Sequence, residues 1–132
     1  MTFTPRCLES IRAEAQAFAD ERDWQQFHSP RNLLLAVLSE LGEAADIVRW
    51  QGDSEPTIPV DRRQEWNDEI ADAFTLLVRL ADCSGVDLSQ AFAHKLALAR
   101  TKYPVEAFKG SRRKYHQVPP STTVPRGAID DR

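Results

Sequence analysis

Two pairs of acidic residues, each spaced three positions apart, are the groups in this sequence best suited to chemistry. Glu40 and Glu43 form the first pair, and Glu69 and Asp72 form the second. Residues three apart in an α-helix lie on one face, so each pair would present two carboxylates side by side. If the two pairs came within a few ångströms of each other, their repulsion would cost several kcal/mol unless a cation joined them.

A hard divalent cation is the ligand that four converging carboxylates would favour. All-oxygen ligation suits Mg²⁺, which keeps several water ligands and usually shares its protein sites with substrate phosphates. The spacing alone also fits two solvated helix faces that bind nothing. A di-iron bundle is disfavoured, because it needs a glutamate three residues before a histidine, and none of His28, His94 and His116 has one.

Four stretches with helical periodicity are predicted to carry these residues, and each begins or ends with residues that favour helix termini. Thr4-Pro5 and Ser29-Pro30 mark two starts, since a side-chain oxygen can cap the helix and proline needs no N–H partner there. Two capping boxes and two left-handed glycine caps are predicted from Asp61 with Gln64, Asp87 with Gln90, Gly52 and Gly85. The helices are therefore predicted at residues 4–22, 29–50, 61–85 and 87–103.

The second and third helices each carry an apolar stripe that is predicted to form the core. In the second helix the stripe consists of Leu34, Val37, Leu38, Leu41, Ala45 and Val48. In the third helix it consists of Trp66, Ile70, Ala73, Phe74, Leu77 and Ala81. In this interpretation the acidic pairs lie away from the apolar stripes, and the two acidic faces could meet. Amphipathic helices joined by short loops, without strand-like alternation, predict an all-α antiparallel four-helix bundle.

The composition is that of one globular domain, and it disfavours several classes of partner. The chain has 132 residues and a formal charge of −3, so it offers no basic field for nucleic acid. We expect no signal peptide and no membrane span, hence a cytoplasmic protein with two reduced cysteines. Residues 1–108 are predicted to form the helical domain. Residues 109–132, basic and then rich in Pro, Ser and Thr, are predicted to be a disordered tail.

Several motifs resemble those of the MazG-like all-α nucleoside triphosphate pyrophosphohydrolases. Glu40-Leu41-Gly42-Glu43 and Glu69-Ile70-Ala71-Asp72 resemble the paired E-x-x-E and E-x-x-D signature of that family. E-R-D-W-Q-Q-F-H at residues 21–28 and P-R-N-L-L-L-A at residues 30–36 closely resemble the dCTP pyrophosphatase branch. Trp50 and Lys102-Tyr103-Pro104 fit that branch too. The resemblance extends over approximately residues 8–115.

The resemblance implies hydrolysis of a (deoxy)nucleoside triphosphate, dCTP or a modified dCTP above all, to the monophosphate and pyrophosphate. It implies that Mg²⁺ is held by Glu40, Glu43, Glu69 and Asp72, among which Glu40 is our choice of general base. It also implies a homo-oligomer, with a tetramer expected. The predicted substrate-binding residues are Trp24 and Trp50 at the base, His28 at the base or sugar, Tyr103, and the basic Lys95, Arg100 and Lys102 balancing the triphosphate.

The sequence departs from the dCTP pyrophosphatase pattern at three positions. Leu76 stands where the family has a tyrosine that contacts substrate, Ala99 where an asparagine is usual, and Ala15 where the animal members have a histidine. Because three polar groups are missing, selectivity for base and sugar stays open. The alternatives are a broad-specificity house-cleaning pyrophosphohydrolase and a catalytically silent bundle that binds a nucleotide or a protein.

Overall fold

The structure of the chain is a computed structural model that describes residues 2–52 and 58–112. All regular structure in these ranges is helical, which confirms the all-α prediction. The elements are α1 (Leu8–Asp20), a 3₁₀ segment (Trp24–Phe27), α2 (Pro30–Val48), α3 (Arg63–Cys83), α4 (Leu88–Lys102) and α5 (Val105–Phe108). The predicted disordered tail, apart from residues 109–112, lies outside the described residues.

The chain divides into two compact units, residues 1–91 and residues 92–132. The first contains α1, the 3₁₀ segment, α2, α3 and the first turn of α4, and the second contains the rest of α4 and α5. A domain of residues 1–108 and a single antiparallel four-helix bundle both stay predictions. Within the described residues, no helix combines the length and the apolar character that crossing a membrane requires.

Side-chain caps start α2 and α4 where the sequence predicts them. The Ser29 hydroxyl accepts a hydrogen bond from the Asn32 N–H at 3.2 Å, and Pro30 occupies the first turn of α2. A carboxylate oxygen of Asp87 accepts one from the Gln90 N–H at 3.0 Å at the start of α4. Each bond satisfies a backbone donor that has no partner inside the helix, which fixes where the helix begins.

The predicted starts of α1 and α3 are wrong. Cys7, in an extended conformation, is the N-cap of α1, because its sulfur accepts a hydrogen bond from the Ser10 N–H. Thr4-Pro5 therefore precedes the helix. Arg62, not Asp61, holds the N-cap position of α3, which has no side-chain cap. The predicted partner Gln64 donates instead to a carboxylate one turn ahead in the helix.

One of the two predicted glycine caps is confirmed. Gly85 has a φ of +68°, a value that favours glycine, and it lets the Val86 N–H donate to the Ala81 carbonyl at 2.8 Å. The prediction for Gly52 is wrong because α2 ends at Val48 with Arg49 as its C-cap, so Gly52 lies beyond the position that a left-handed cap occupies. The predicted end of α4 before Pro104 is confirmed.

The predicted core stripes are partly wrong. α3 packs against both α2 and α1. The buried residues of α2 are Leu33, Val37, Ala44 and Ile47, which share a face with Glu40. Much of the predicted stripe of α2 is exposed in the single chain, and so is much of the predicted stripe of α3. We name these exposed side chains the outer apolar face: Leu34, Leu38, Leu41, Ile70, Phe74 and Leu77. The carboxylate face of α2, rather than this stripe, therefore packs on α3.

The direction of α3 relative to α2 follows from two contacts. At the start of α3 the Arg62 guanidinium donates to the carbonyl of Asp46, near the end of α2, at 3.4 Å. Two turns later Glu69 lies beside Glu43 and Glu40, which are earlier in α2. Advancing along α3 thus means moving back along α2, so the two helices run in opposite directions.

Candidate metal centre

The packing of α2 on α3 brings three of the four predicted metal ligands together. Glu40, Glu43 and Glu69 each place a carboxylate oxygen within 4.8 Å of the other two. Glu40 and Glu69 are half-buried between the helices, and Glu43 is exposed at the edge. We name these residues the carboxylate cluster. Three carboxylates this close form an all-oxygen donor set of the kind that a hard divalent cation prefers.

Like charges dominate the electrostatics of the carboxylate cluster. Partial burial raises the pKa of Glu69 above its ordinary value, and the charges of Glu43 and Glu40, a hydrogen bond with Glu40 and the charge of Asp72 raise it further. Within residues 2–52 and 58–112, no basic side chain forms an ion pair with a member of the cluster. A cation bound here would remove the repulsion that disfavours the ionised form.

Asp72 lies outside the group of three. It is exposed on α3, three residues after Glu69, and its charge still acts on that carboxyl. Glu65, one turn before Glu69, differs from the cluster because Arg62 pairs with it and lowers its pKa. The acidic residue nearest the start of α3 is thus neutralised by a neighbour, whereas the cluster has no such neighbour among the described residues.

Trp24 and His28 belong to the 3₁₀ segment and the residue that follows it. The two rings meet edge to face with centroids 6.4 Å apart, and Trp24 also meets the ring of Phe18 at 5.7 Å. His28 Nδ1 is buried and finds no hydrogen-bond partner among the described residues. Burial, and secondarily the charge of Arg79, lowers the pKa of His28. The ring is therefore favoured in its neutral form.

The other predicted substrate-binding residues lie on separate elements. Trp50 follows the end of α2, is 88% exposed and has the Arg49 guanidinium 5.9 Å from its ring centroid. Among the described aromatic contacts, none joins it to Trp24. Tyr103 packs edge to face on Phe108 at 5.0 Å. Lys95, Arg100, Lys102 and Tyr103 all belong to the second unit.

Positions that depart from the family pattern lie in different settings. Leu76 is half-buried on α3, one turn after Asp72, so it places an aliphatic side chain near the acidic residues. Ala15 is half-buried on α1, and Ala99 is on α4 in the second unit. The sequence interpretation missed Arg79, a buried cation on α3 that contacts the 3₁₀ segment. A single arginine in the otherwise apolar run of residues 76–81 was the available signal.

Comparison with known proteins gives the family. The chain is 43% identical to dCTP pyrophosphatase 1 of Mus musculus over 133 residues, which cover 98% of this chain and 75% of that protein. It is 40% identical to dCTP pyrophosphatase 1 of Homo sapiens over 134 residues with the same shares covered. A comparison with profiles of known families finds no match.

A solved structure agrees with these relatives. A pyrophosphatase from Archaeoglobus fulgidus superposes with a TM-score of 0.69 at 27% sequence identity, covering 79% of this chain and 98% of that chain. The alignment with the Mus musculus protein spans nearly the whole chain. The predicted resemblance is confirmed: this chain belongs to the dCTP pyrophosphatase family of MazG-like all-α hydrolases and is a dCTP diphosphatase-like enzyme.

Proposed function

We propose that this enzyme hydrolyses dCTP, or a dCTP modified on its base, to the monophosphate and pyrophosphate in a Mg²⁺-dependent reaction. The observation that carries the proposal is the carboxylate cluster, in which like charges converge between α2 and α3 without a compensating cation among the described residues. The names of the curated relatives support the substrate. The donor chemistry supports the metal, because carboxylate oxygens are the ligands that Mg²⁺ shares with substrate phosphates.

In this proposal Glu40, Glu43 and Glu69 hold Mg²⁺, and Asp72 completes the set. Bound Mg²⁺ would neutralise charge on the phosphates and make the attacking water more acidic. Glu40 is the proposed general base, accepting the proton of that water. The raised pKa of its neighbour Glu69 reflects the repulsion that a bound cation would relieve.

The nucleotide is proposed to extend from the carboxylate cluster to aromatic side chains. Trp24 and Trp50 would contact the base, because stacking on an aromatic face stabilises a bound base by ~1–3 kcal/mol. His28 would lie at the base or sugar, and its lowered pKa favours a neutral ring that both donates and accepts hydrogen bonds. Lys95, Arg100, Lys102 and Tyr103 are proposed to bind the triphosphate.

We also propose that the enzyme is a cytoplasmic homo-oligomer, a tetramer by family resemblance. The outer apolar face supports this proposal. On α2 and α3, each residue of the outer apolar face comes one position after a residue that faces the other helix, as Leu38 comes after Val37 and Phe74 after Ala73. One position along an α-helix is a rotation of about 100° around its axis. Because the helices run in opposite directions, the two rotations bring both stripes to the same side of the pair. A contiguous apolar surface of this kind is usually covered by another protein.

The deciding experiment is a substrate panel with and without Mg²⁺. We expect pyrophosphate and dCMP from dCTP, measured by ion-pair chromatography, and no turnover in EDTA. The panel adds 5-substituted dCTP, dUTP, dTTP and purine triphosphates. Equal rates on all of them would favour the broad house-cleaning alternative, since Leu76, Ala99 and Ala15 lack polar groups that could discriminate between substrates. Absence of turnover on every nucleotide would contradict the proposal.

A further inference from the structure

Arg79 is a charged side chain in the interior, with only 3% of its surface exposed. A buried charge is costly unless acceptors surround it. Its guanidinium donates hydrogen bonds to three side chains from three elements: Gln16 of α1, Gln25 of the 3₁₀ segment and Asp82 of α3. The Nη2 atom lies 2.9 Å from the Gln25 oxygen, and Nη1 lies 2.7 Å from the Asp82 oxygen.

The side chains that accept hydrogen bonds from Arg79 also interact with other residues. The side-chain amides of Gln16 and Gln25 both donate to the carboxylate of Asp20 at the end of α1. Asp82 also faces Arg12 of α1 at 3.4 Å. The guanidinium therefore lies at the centre of a network of hydrogen bonds that joins α1, α3 and the 3₁₀ segment.

The 3₁₀ segment lies on the same side of the α2–α3 pair as the carboxylates of Asp72 and Glu43. Arg79 follows Asp72 by seven residues, close to two full turns, so both project from one face of α3. Besides its contact with Arg79 of α3, the segment is held by Asn32 of α2, whose side-chain amide donates to the Phe27 carbonyl at 3.0 Å. Asn32 precedes Glu43 by eleven residues, close to three full turns, so these two also share a face of α2.

The segment thus bridges α2 and α3 at a fixed distance from the acidic residues. Seven residues of helix correspond to ~10 Å along α3, and eleven correspond to ~16 Å along α2. Over these distances, a nucleotide whose phosphates bind beside the carboxylates would reach Trp24 and His28 with its base. Among the described contacts, the bond between Arg79 and Gln25 is the hydrogen bond that fixes the segment to α3.

We propose that Arg79 is a positioning residue for nucleotide binding: through Gln25 it fixes the 3₁₀ segment so that Trp24 and His28 face the nucleotide. This inference rests on the proposed function. Arg79 itself touches neither metal nor substrate in this proposal, so its loss should weaken binding without slowing the chemical step. A residue with only a structural role would instead affect stability, without a selective effect on binding.

The test compares Gln25→Ala with Gln26→Ala, two substitutions of neighbouring glutamines. Gln25 accepts the Arg79 bond, whereas the Gln26 amide donates to Asp23 just before the segment. A hydrogen bond to a charged group that orders a binding element corresponds to roughly a tenfold change in affinity. We expect Gln25→Ala to raise KM for dCTP and Kd for dCMP about tenfold, with kcat within about twofold of wild type. Gln26→Ala should change neither constant.

Arg79→Lys provides the second arm of the test. A single ammonium can keep the ion pair with Asp82 but cannot also serve Gln25 with a second nitrogen. We expect its KM and Kd to match those of Gln25→Ala, and amide hydrogen exchange of residues 24–28 to become faster in both nucleotide-free variants. Unchanged KM, Kd and exchange in Gln25→Ala would overturn the inference.

The two proposals fail in different ways. If the wild-type protein bound dCMP but hydrolysed no triphosphate, the proposed function would be wrong, and the Kd and exchange measurements would still decide the role of Arg79. If wild type hydrolysed dCTP while Gln25→Ala and Gln26→Ala behaved alike, the proposed function would stand and the positioning role would be wrong. If wild type bound no nucleotide, both would be wrong.

Discussion

Arg79 and Glu69, less than three turns apart on α3, belong to two polar clusters that differ in charge balance. Around Arg79, the guanidinium has an acidic partner in Asp82 and amide partners in Gln16 and Gln25. In the carboxylate cluster, Glu40, Glu43 and Glu69 repel one another and lack a basic partner within the described residues. The difference teaches that a charge-balanced cluster holds elements together, whereas an unbalanced one favours binding of a ligand of opposite charge.

The largest expected effect comes from the unbalanced cluster. Glu43→Gln keeps the shape of the side chain and removes a ligand charge, so we expect kcat/KM with saturating Mg²⁺ to fall by two or more orders of magnitude, on the order of what loss of metal-ion catalysis costs. The fold should be retained, and the metal-free variant should melt at a higher temperature than wild type because one repelling charge is gone.

The matched control is Glu65→Gln, which lies on α3 with Glu69 but is paired with Arg62. It should leave kcat/KM within about threefold of wild type, because an exposed ion pair contributes little. Near wild-type turnover by Glu43→Gln would refute the metal assignment.

The next largest effect concerns the balanced network. Arg79→Met removes the buried cation and leaves Gln16 and Gln25 short of a donor, so we expect the free energy of unfolding to fall by about 3 kcal/mol in urea titrations. Asp82 keeps its contact with Arg12, which limits the loss.

Arg12→Met is the control for that loss. The Arg12 side chain is partly exposed, its partner Glu9 is largely exposed, and its contact with Asp82 is long at 3.4 Å, so removal of Arg12 should cost roughly 0–1 kcal/mol. Equal losses of unfolding free energy in Arg12→Met and Arg79→Met would show that the burial of Arg79 does not determine how much its network stabilises the fold.

How far the sequence predicted this arrangement depended on the kind of signal. Ser29, Asp87 and Gly85 act within one turn of chain, so local chemistry predicted those termini correctly. The core stripe failed because α2 carries two apolar faces, and periodicity cannot say which one α3 covers. The Cys7 cap was missed because a thiol is a weak acceptor seldom found in that role.

The functional residues divide in the same way. The acidic pairs were found because their spacing is a local property, and the fold brings three of the four carboxylates together. Arg79 could not be assigned from sequence, since its role depends on Gln16 and Gln25, which are 63 and 54 positions away in the chain. Long-range partners of a single buried charge leave no periodic signature.

A smaller effect should appear in the pH dependence of the metal-free protein. The pKa of Glu69 is raised in the folded state, so its contribution to stability is present below the unfolded pKa of about 4.3 and is lost as the pH rises through the folded value. Glu69→Gln has no titratable group at this position, so it does not lose that contribution as the pH rises. We therefore expect the melting temperature of Glu69→Gln minus that of wild type to increase between about pH 4 and about pH 7.

Saturating Mg²⁺ should reverse that trend, because metal ligands must be deprotonated and wild type alone retains all of them. A difference that stays constant with pH in the metal-free proteins would contradict the repulsion within the carboxylate cluster.

The smallest expected effect is a gain in selectivity. Leu76→Tyr places a hydroxyl one turn after Asp72, and a hydrogen-bonding group discriminates between bases better than an aliphatic one does. We expect the ratio of kcat/KM for dCTP over dTTP to rise by roughly threefold to tenfold. Leu76→Phe is the control, because it adds the ring without the hydroxyl and should leave the ratio unchanged. Equal ratios in the two variants would show that selectivity lies elsewhere.

The outer apolar face determines how the stability of this enzyme must be expressed. If a second copy covers Leu38, Phe74 and their neighbours, folding and association are linked by mass action, and dilution favours the unfolded chain. The melting temperature would then rise with protein concentration, and a free energy per chain would carry meaning only at a stated molarity. A substitution on this face would lower activity in dilute assays and leave it intact at high enzyme concentration.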